Sequence, residues 1–231
     1  MNLKVLEKNG MFFDNVVFQL NWFNPRIIDK SGEIISNLND TIGPFKIIDG
    51  GISFVFKKYE KFEGLFHIPK AWFRMSKLDS NHNFETFKNQ SFKIISESIK
   101  HADPVNIKSF GTRIALIYSS ENIREKIAKL IPFEIESAKG NLDFPKLQWK
   151  YVNEKYKTNY RLTQNIQMYY GKQNENNKRD DLPDEGVVID IDCIIFRNDN
   201  KDSKTTDFKS EINGVFELFD KITTELVEKL G

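Results

Sequence analysis

Eleven residues near the C-terminus, Gly186 to Phe196 (GVVIDIDCIIF), restrict the fold more than any other stretch. In an extended chain Val187, Ile189, Ile191, Cys193 and Ile195 point to one side, and Val188, Asp190, Asp192 and Ile194 to the other. Four of the first five are β-branched, which suits a pleated surface. An apolar face backed by a half-acidic one predicts a strand near the middle of an antiparallel sheet covered on one side only.

The same two-residue period recurs elsewhere. Met11 to Phe23 (MFFDNVVFQLNWF) predicts a first strand, ended by Asn24 and Pro25. Ile52 to Tyr59, Phe62 to Met75, Phe110 to Tyr118, Leu147 to Tyr151 and Tyr160 to Tyr170 read as further strands. Pro69 has no N–H for a ladder, so the chain is expected to bend or run along an edge there. Residues 26–51 carry turn chemistry at Lys30-Ser31-Gly32, Gly43-Pro44 and Asp49-Gly50-Gly51, and read as a loop-rich excursion with short strand pieces.

Helical spacing appears in three places. Phe84, Phe87, Phe92, Ile95 and Ile99 share a face that stops before Asp103-Pro104. A shorter helix follows Ser119-Ser120, with Ile123 and Ile127 inward. The last and most amphipathic carries Ile212, Val215, Phe216, Phe219, Ile222, Leu226 and Leu230 at threes and fours. Two polar stretches without periodicity, 171–186 and 197–206, read as surface loops flanking the central strand.

Strands outnumber helices and do not alternate regularly with them. The expected fold class is therefore α+β, a mainly antiparallel sheet with about three helices packed on it. One α+β domain is expected over residues 1–231, and strand, strand, helix on each side of about residue 140 permits a pseudo-duplicated sheet whose similar halves meet near 132–146.

Composition narrows function chiefly by exclusion. Lys plus Arg number 34 against 33 Asp plus Glu, so no overall field draws the chain to nucleic acid or an anionic membrane. Phenylalanine, at 20 residues, supplies core without hydrogen-bonding duty. A single cysteine, Cys193, rules out a disulfide framework and a thiolate metal site. The N-terminus lacks the apolar run of a signal peptide, and no later run approaches the ~18 residues a spanning helix needs. A cytoplasmic location away from membranes is expected.

Three sets of residues are candidates for chemistry or binding. Asp190 and Asp192, at i and i+2 on one strand face, could share a divalent metal through oxygen ligands. A nuclease-like centre would need a third acid and a base, and none is positioned by the sequence, so an ordinary outward face, or a pairing with Lys or Arg on a neighbouring strand, is the favoured reading. Lys146, Lys150, Lys155 and Lys157 with Tyr151 and Tyr156 form a basic, aromatic region able to bind a nucleic-acid backbone and bases. The near-neutral total favours solvated lysines. His67, His82 and His101 lack a second ligand at metal spacing, and His101 suits a helix C-terminus. No phosphate loop, nucleophile elbow or dinucleotide fingerprint occurs, so no catalytic residue and no cofactor are expected.

The DID strand, the polar loop after it and the terminal helix (INGVFELFDKITTELVEKL) resemble the C-terminal half of a sporadically distributed family of uncharacterised bacterial proteins, in which an "LDID" strand precedes such a helix. NVVFQLNWF and RIALIY sit about where that family has its first strand and its "RLRYIN" strand, with Tyr118, Ser119 and Ser120 in place of the residues expected there. The resemblance spans about half the chain. It implies an accessory component of variable genomic loci, as in antiphage defence or toxin control. Together these readings lead to a non-catalytic accessory or regulatory subunit that works with a protein partner or as a homo-oligomer. Nucleic-acid binding through 146–157 is the alternative, and a nuclease using Asp190 and Asp192 comes third.

Overall fold

The computed structural model of the protein describes residues 11–57, 59–76, 84–104, 106–123, 125–126, 146–153, 160–170, 185–196 and 208–230. The fold is α+β. Nine strands form a single sheet: β1 Met11–Phe23, β2 Ile42–Ile48, β3 Gly51–Phe56, β4 Tyr59–His67, β5 Lys70–Ser76, β6 Asn106–Tyr118, β7 Lys146–Asn153, β8 Tyr160–Tyr170 and β9 Glu185–Phe196. Their order across the sheet is β2-β3-β4-β5-β1-β6-β9-β8-β7, and every pairing is antiparallel. Three long helices accompany them: α1 Ile27–Asn37, α2 Phe84–Ala102 and α3 Phe208–Leu230.

The strand order repeats itself. β1 leads through α1 into the meander β2 to β5, which returns to pair with β1 and continues into α2. β6 leads through a helical stretch beginning at Ile123 into β7 to β9, which returns to pair with β6 and continues into α3. The two windings join at the β1–β6 ladder, the longest in the sheet, and divide in sequence between Ala102 and Asn106. Of the 132–146 range where two halves were expected to meet, residues 132–145 lie outside the described residues.

All the described helices pack on one face. Phe87 of α2 lies 5.2 Å from Phe18 of β1 and 5.1 Å from Phe62 of β4, ring centre to ring centre, and Phe216 of α3 meets Phe18 edge-on at 5.7 Å. The inward residues of the central strands are fully buried: Val16, Phe18, Leu20, Phe110, Ile114, Leu116, Val187, Ile189 and Ile191. Their outward neighbours Val17, Gln19, Asn21, Val188, Asp190, Asp192 and Ile194 are half-buried. This is the one-sided sheet that the DID alternation predicts, with β9 inside it between β6 and β8.

Two local expectations are corrected. Residues 26–51 are not an irregular excursion, because α1 and β2 occupy most of them. Local propensity is poor in α1, with four isoleucines, a mid-helix glycine and no side-chain cap at Arg26, and burial of Ile27, Ser31, Ile34 and Leu38 on the sheet overrides it. Phe62 to Met75 is a hairpin and not one bent strand. Ile68-Pro69 forms its turn, held to the end of β1 by Trp22 N–H donating to the Pro69 carbonyl at 3.1 Å and its indole N–H donating to the His67 carbonyl at 2.8 Å.

Cys193 is buried on the inward face of β9, and burial first, then the charge of Asp192, pushes its thiol up from 9.0 to about 12. A water-soluble disulfide reagent should leave it unmodified at neutral pH and label it fully in denaturant. Between pH ~9 and ~12 the native thiol keeps a proton that the unfolded chain has released, so stability should fall with rising pH by about 1.4 kcal/mol per unit. Cys193→Ala should remove that slope from a series of urea unfolding curves, and an unchanged slope would mean the thiol ionises while folded.

Candidate functional site

The face of the sheet on which no described helix packs brings together outward positions of β1, β3 to β6, β8 and β9, and the register arranges them in rows. One row runs from Thr163 of β8 through Asp192 of β9, Arg113 of β6, Val17 of β1 and Arg74 of β5 to Glu63 of β4. The next contains Asn165, Asp190, Ala115, Asn15 and Ser76, and a third contains Ile194, Gly111, Gln19, Trp72, Leu65 and Ser53. Sequences that alternate with period two can present such a face only if every ladder keeps register, because a one-residue slip would exchange it with the core.

Two ion pairs stand on this face. Arg113 stands directly across from Asp192 but forks onto Asp190, its Nε donating to Oδ1 at 2.8 Å and its Nη2 to Oδ2 at 2.7 Å. The Asp190 side chain retains only 15% exposure against 56% for Arg113, so the carboxylate is the member that depends on the pair. Hydrogen bonding to Asp190 raises the Arg113 pKa, burial opposes it, and the charges of Asp190, Asp192 and Asp14 add to the rise. Asp14 is the extra residue of a β-bulge between Phe13 and Asn15, the kind of irregularity that re-aims a side chain. Three ladders away, Arg74 Nε lies 3.0 Å from Glu63 Oε1. Between the two ion pairs runs a polar chain in which Gln19 donates to Asn21 Oδ1 and Asn21 donates to Ser109 Oγ, both at 2.8 Å.

The candidate metal pair therefore meets an arginine. Both oxygens of Asp190 accept from Arg113, and among the described residues no group of three or more His, Cys, Asp or Glu is placed to hold a metal ion. The alternation in RIALIY puts Arg113 on the outward side, but nothing local joins it to a strand 77 positions away. Of the basic region, Lys146, Lys150 and Tyr151 fall on β7 at the sheet edge, in register with Gln167, Thr163 and Leu162. Lys155, Tyr156 and Lys157 lie outside the described residues.

His101 does more than favour a helix end. Its Nδ1 lies 2.8 Å from Glu33 Oε1 of α1, and its Nε2 lies 3.1 Å from Glu97 Oε2 and 3.0 Å from Asn37 Nδ2, so it ties α2 to α1. Hydrogen bonds from Lys30 first and His101 second hold the Glu33 carboxyl below its usual range.

No protein-family model matches the chain, and no curated protein matches it. Among solved structures, the rolling circle replication initiator protein from Geobacillus stearothermophilus is similar at a TM-score of 0.29 and 8% identity, over 80% of this chain and 74% of that one. A likeness at that score carries no argument about function. No described helix is long and apolar enough to cross a membrane.

Proposed function

We propose that this protein is a non-catalytic accessory or regulatory subunit that acts by protein contact through the open face of its sheet. The observation that carries the reading is the apolar surface that lies between the ion pairs of that face. Arg113 and Arg74 each hold a carboxylate of their own, while Val17, Val55, Leu65, Trp72, Val188 and Ile194 remain half-exposed on the same face. Phosphate binding draws on uncompensated cations. Protein interfaces instead combine aromatic and arginine anchors with apolar surface and few free charges. The bacterial setting, in antiphage defence or toxin control, rests on the family resemblance alone.

The test is retention of a stoichiometric protein from native-host extract by the full-length chain, compared with Trp72→Ala and Leu65→Asp after circular dichroism has shown both variants folded. Truncating a central aromatic anchor should weaken binding by about 2 kcal/mol or more. No retained partner, or retention untouched by both variants, would refute the proposal. Steeply salt-dependent binding of a short oligonucleotide by the wild-type chain would move the function to nucleic acid.

A further inference from the structure

β2 is one margin of the sheet, and it is exposed from Pro44 to Ile48. The register shows where the helical layer stops. Phe45 and Ile47 pair with Phe54 and Ile52 of β3, which are 2% and 4% exposed, whereas Phe45 itself is 50% and Ile47 79% exposed. The cover thus thins between β3 and β2, and among the described residues no helix covers the exposed parts of these two large apolar side chains. Ile48, on the opposite side, is also exposed, as is Lys46 beside it. A sheet margin offers a row of backbone donors and acceptors that only another extended chain can satisfy together.

Charge decides which extended chain fits. If a second copy paired its own β2 antiparallel to this one with matching faces, Lys46 would stand opposite Lys46, Ile48 or Pro44 according to register, and never opposite an acid. The far margin of the sheet serves no better. On β7 the positions in register with the outward positions of β8 are Lys146, Gln148, Lys150 and Val152, again without an acid. Lysines at both margins discourage self-addition, while the apolar pair Phe45 and Ile47 still rewards coverage.

We propose that β2 takes up, by strand addition, an extended segment of a different protein in which an acidic residue lies between two apolar ones. The apolar pair of the segment covers Phe45 and Ile47, and the acid meets Lys46 on the other face. This rests on the reading of the chain as a protein-binding subunit and supplies the chemistry of one ligand.

Fluorescence anisotropy with the full-length chain tests it, using a labelled peptide that alternates valine with glutamate and a second that alternates valine with lysine. The glutamate peptide should bind and the lysine peptide should bind about tenfold more weakly. Lys46→Glu should reverse that order, and Ile47→Asp should weaken both peptides about tenfold with no change in the thermal melt, since the side chain is already exposed. Failure of the glutamate peptide to bind, indifference to both substitutions, or a concentration-dependent dimer broken by Ile47→Asp would overturn the proposal. The two readings fail separately. A native partner lost with Trp72→Ala but retained by Ile47→Asp, with no peptide binding, removes the strand-addition site and leaves the subunit role standing, whereas a wild-type chain that retains no partner removes the role itself.

Discussion

Phe18→Ala should be the most damaging single truncation in the core, costing about 3–5 kcal/mol in a urea unfolding titration. The ring is fully buried and meets four others: Phe87 at 5.2 Å and Phe92 at 6.3 Å on α2, Phe110 at 6.4 Å on β6, and Phe216 at 5.7 Å on α3. It is the point where helices from both windings touch the strand that joins them. Truncation there removes the transfer free energy of the ring and leaves a void that backbone on one side and two helices on the other cannot close. Against a typical total of about 5–15 kcal/mol, that loss should bring the midpoint down by about a fifth or more. Val17→Ala, one residue away on the open face, is the control and should cost about 1 kcal/mol or less. A Phe18→Ala penalty no larger than that of Val17→Ala would mean that Phe18 does not connect the two helices to the sheet.

How far such a core was legible depended on whether neighbours in space were neighbours in sequence. The DID strand, β1 beyond its bulge at Asp14, α2 and α3 could be read because each keeps one period there, and burial follows that period. α1 could not, since its glycine, serines and isoleucines argue locally against a helix and only the sheet beneath them favours one. The β4–β5 hairpin was obscured because Pro69 marks a break without saying whether the chain bends or reverses. For the candidate site, the outward position of Asp190 and Asp192 followed from alternation, but their partner did not. Arg113 reaches Asp190 because β9 lies beside β6, and strand order is a property of the whole chain. The same holds for the half-exposed Trp72 at the middle of the open face. Its alternation was visible, whereas its neighbours Gln19 and Leu65 come from two other strands.

Gly51→Ala should be nearly as costly as the loss of Phe18, about 3 kcal/mol, though it adds a single methyl group. A Cβ at Gly51 would stand 2.0 Å from the carbonyl oxygen of Phe66 and 3.0 Å from Cα of His67, and both belong to the backbone of the neighbouring strand. No rotamer change relieves such a contact, so the ladder itself must part. Gly50 before it adopts φ 69°, which brings the turn against His67, whose Nε2 lies 3.0 Å from the Asp49 carbonyl oxygen, and this leaves the turn little room to yield instead. Gly111→Ala offers the contrast within the same sheet: its nearest heavy atom would be a side-chain carbon of Ile194 at 3.7 Å, an ordinary contact, and the change should stay within about 0.5 kcal/mol. The two variants separate lack of space from the general weakness of glycine in strands, because a conformational effect alone would move both in the same direction. Since β2 is attached to the sheet only through β3, the displacement caused by Gly51→Ala should also release β2, and amide hydrogen exchange of residues 42–48 should accelerate while that of β6 and β9 changes only by the global loss of stability. Uniform acceleration across all the strands would show instead that the sheet opens as one unit and that its margin has no independent stability.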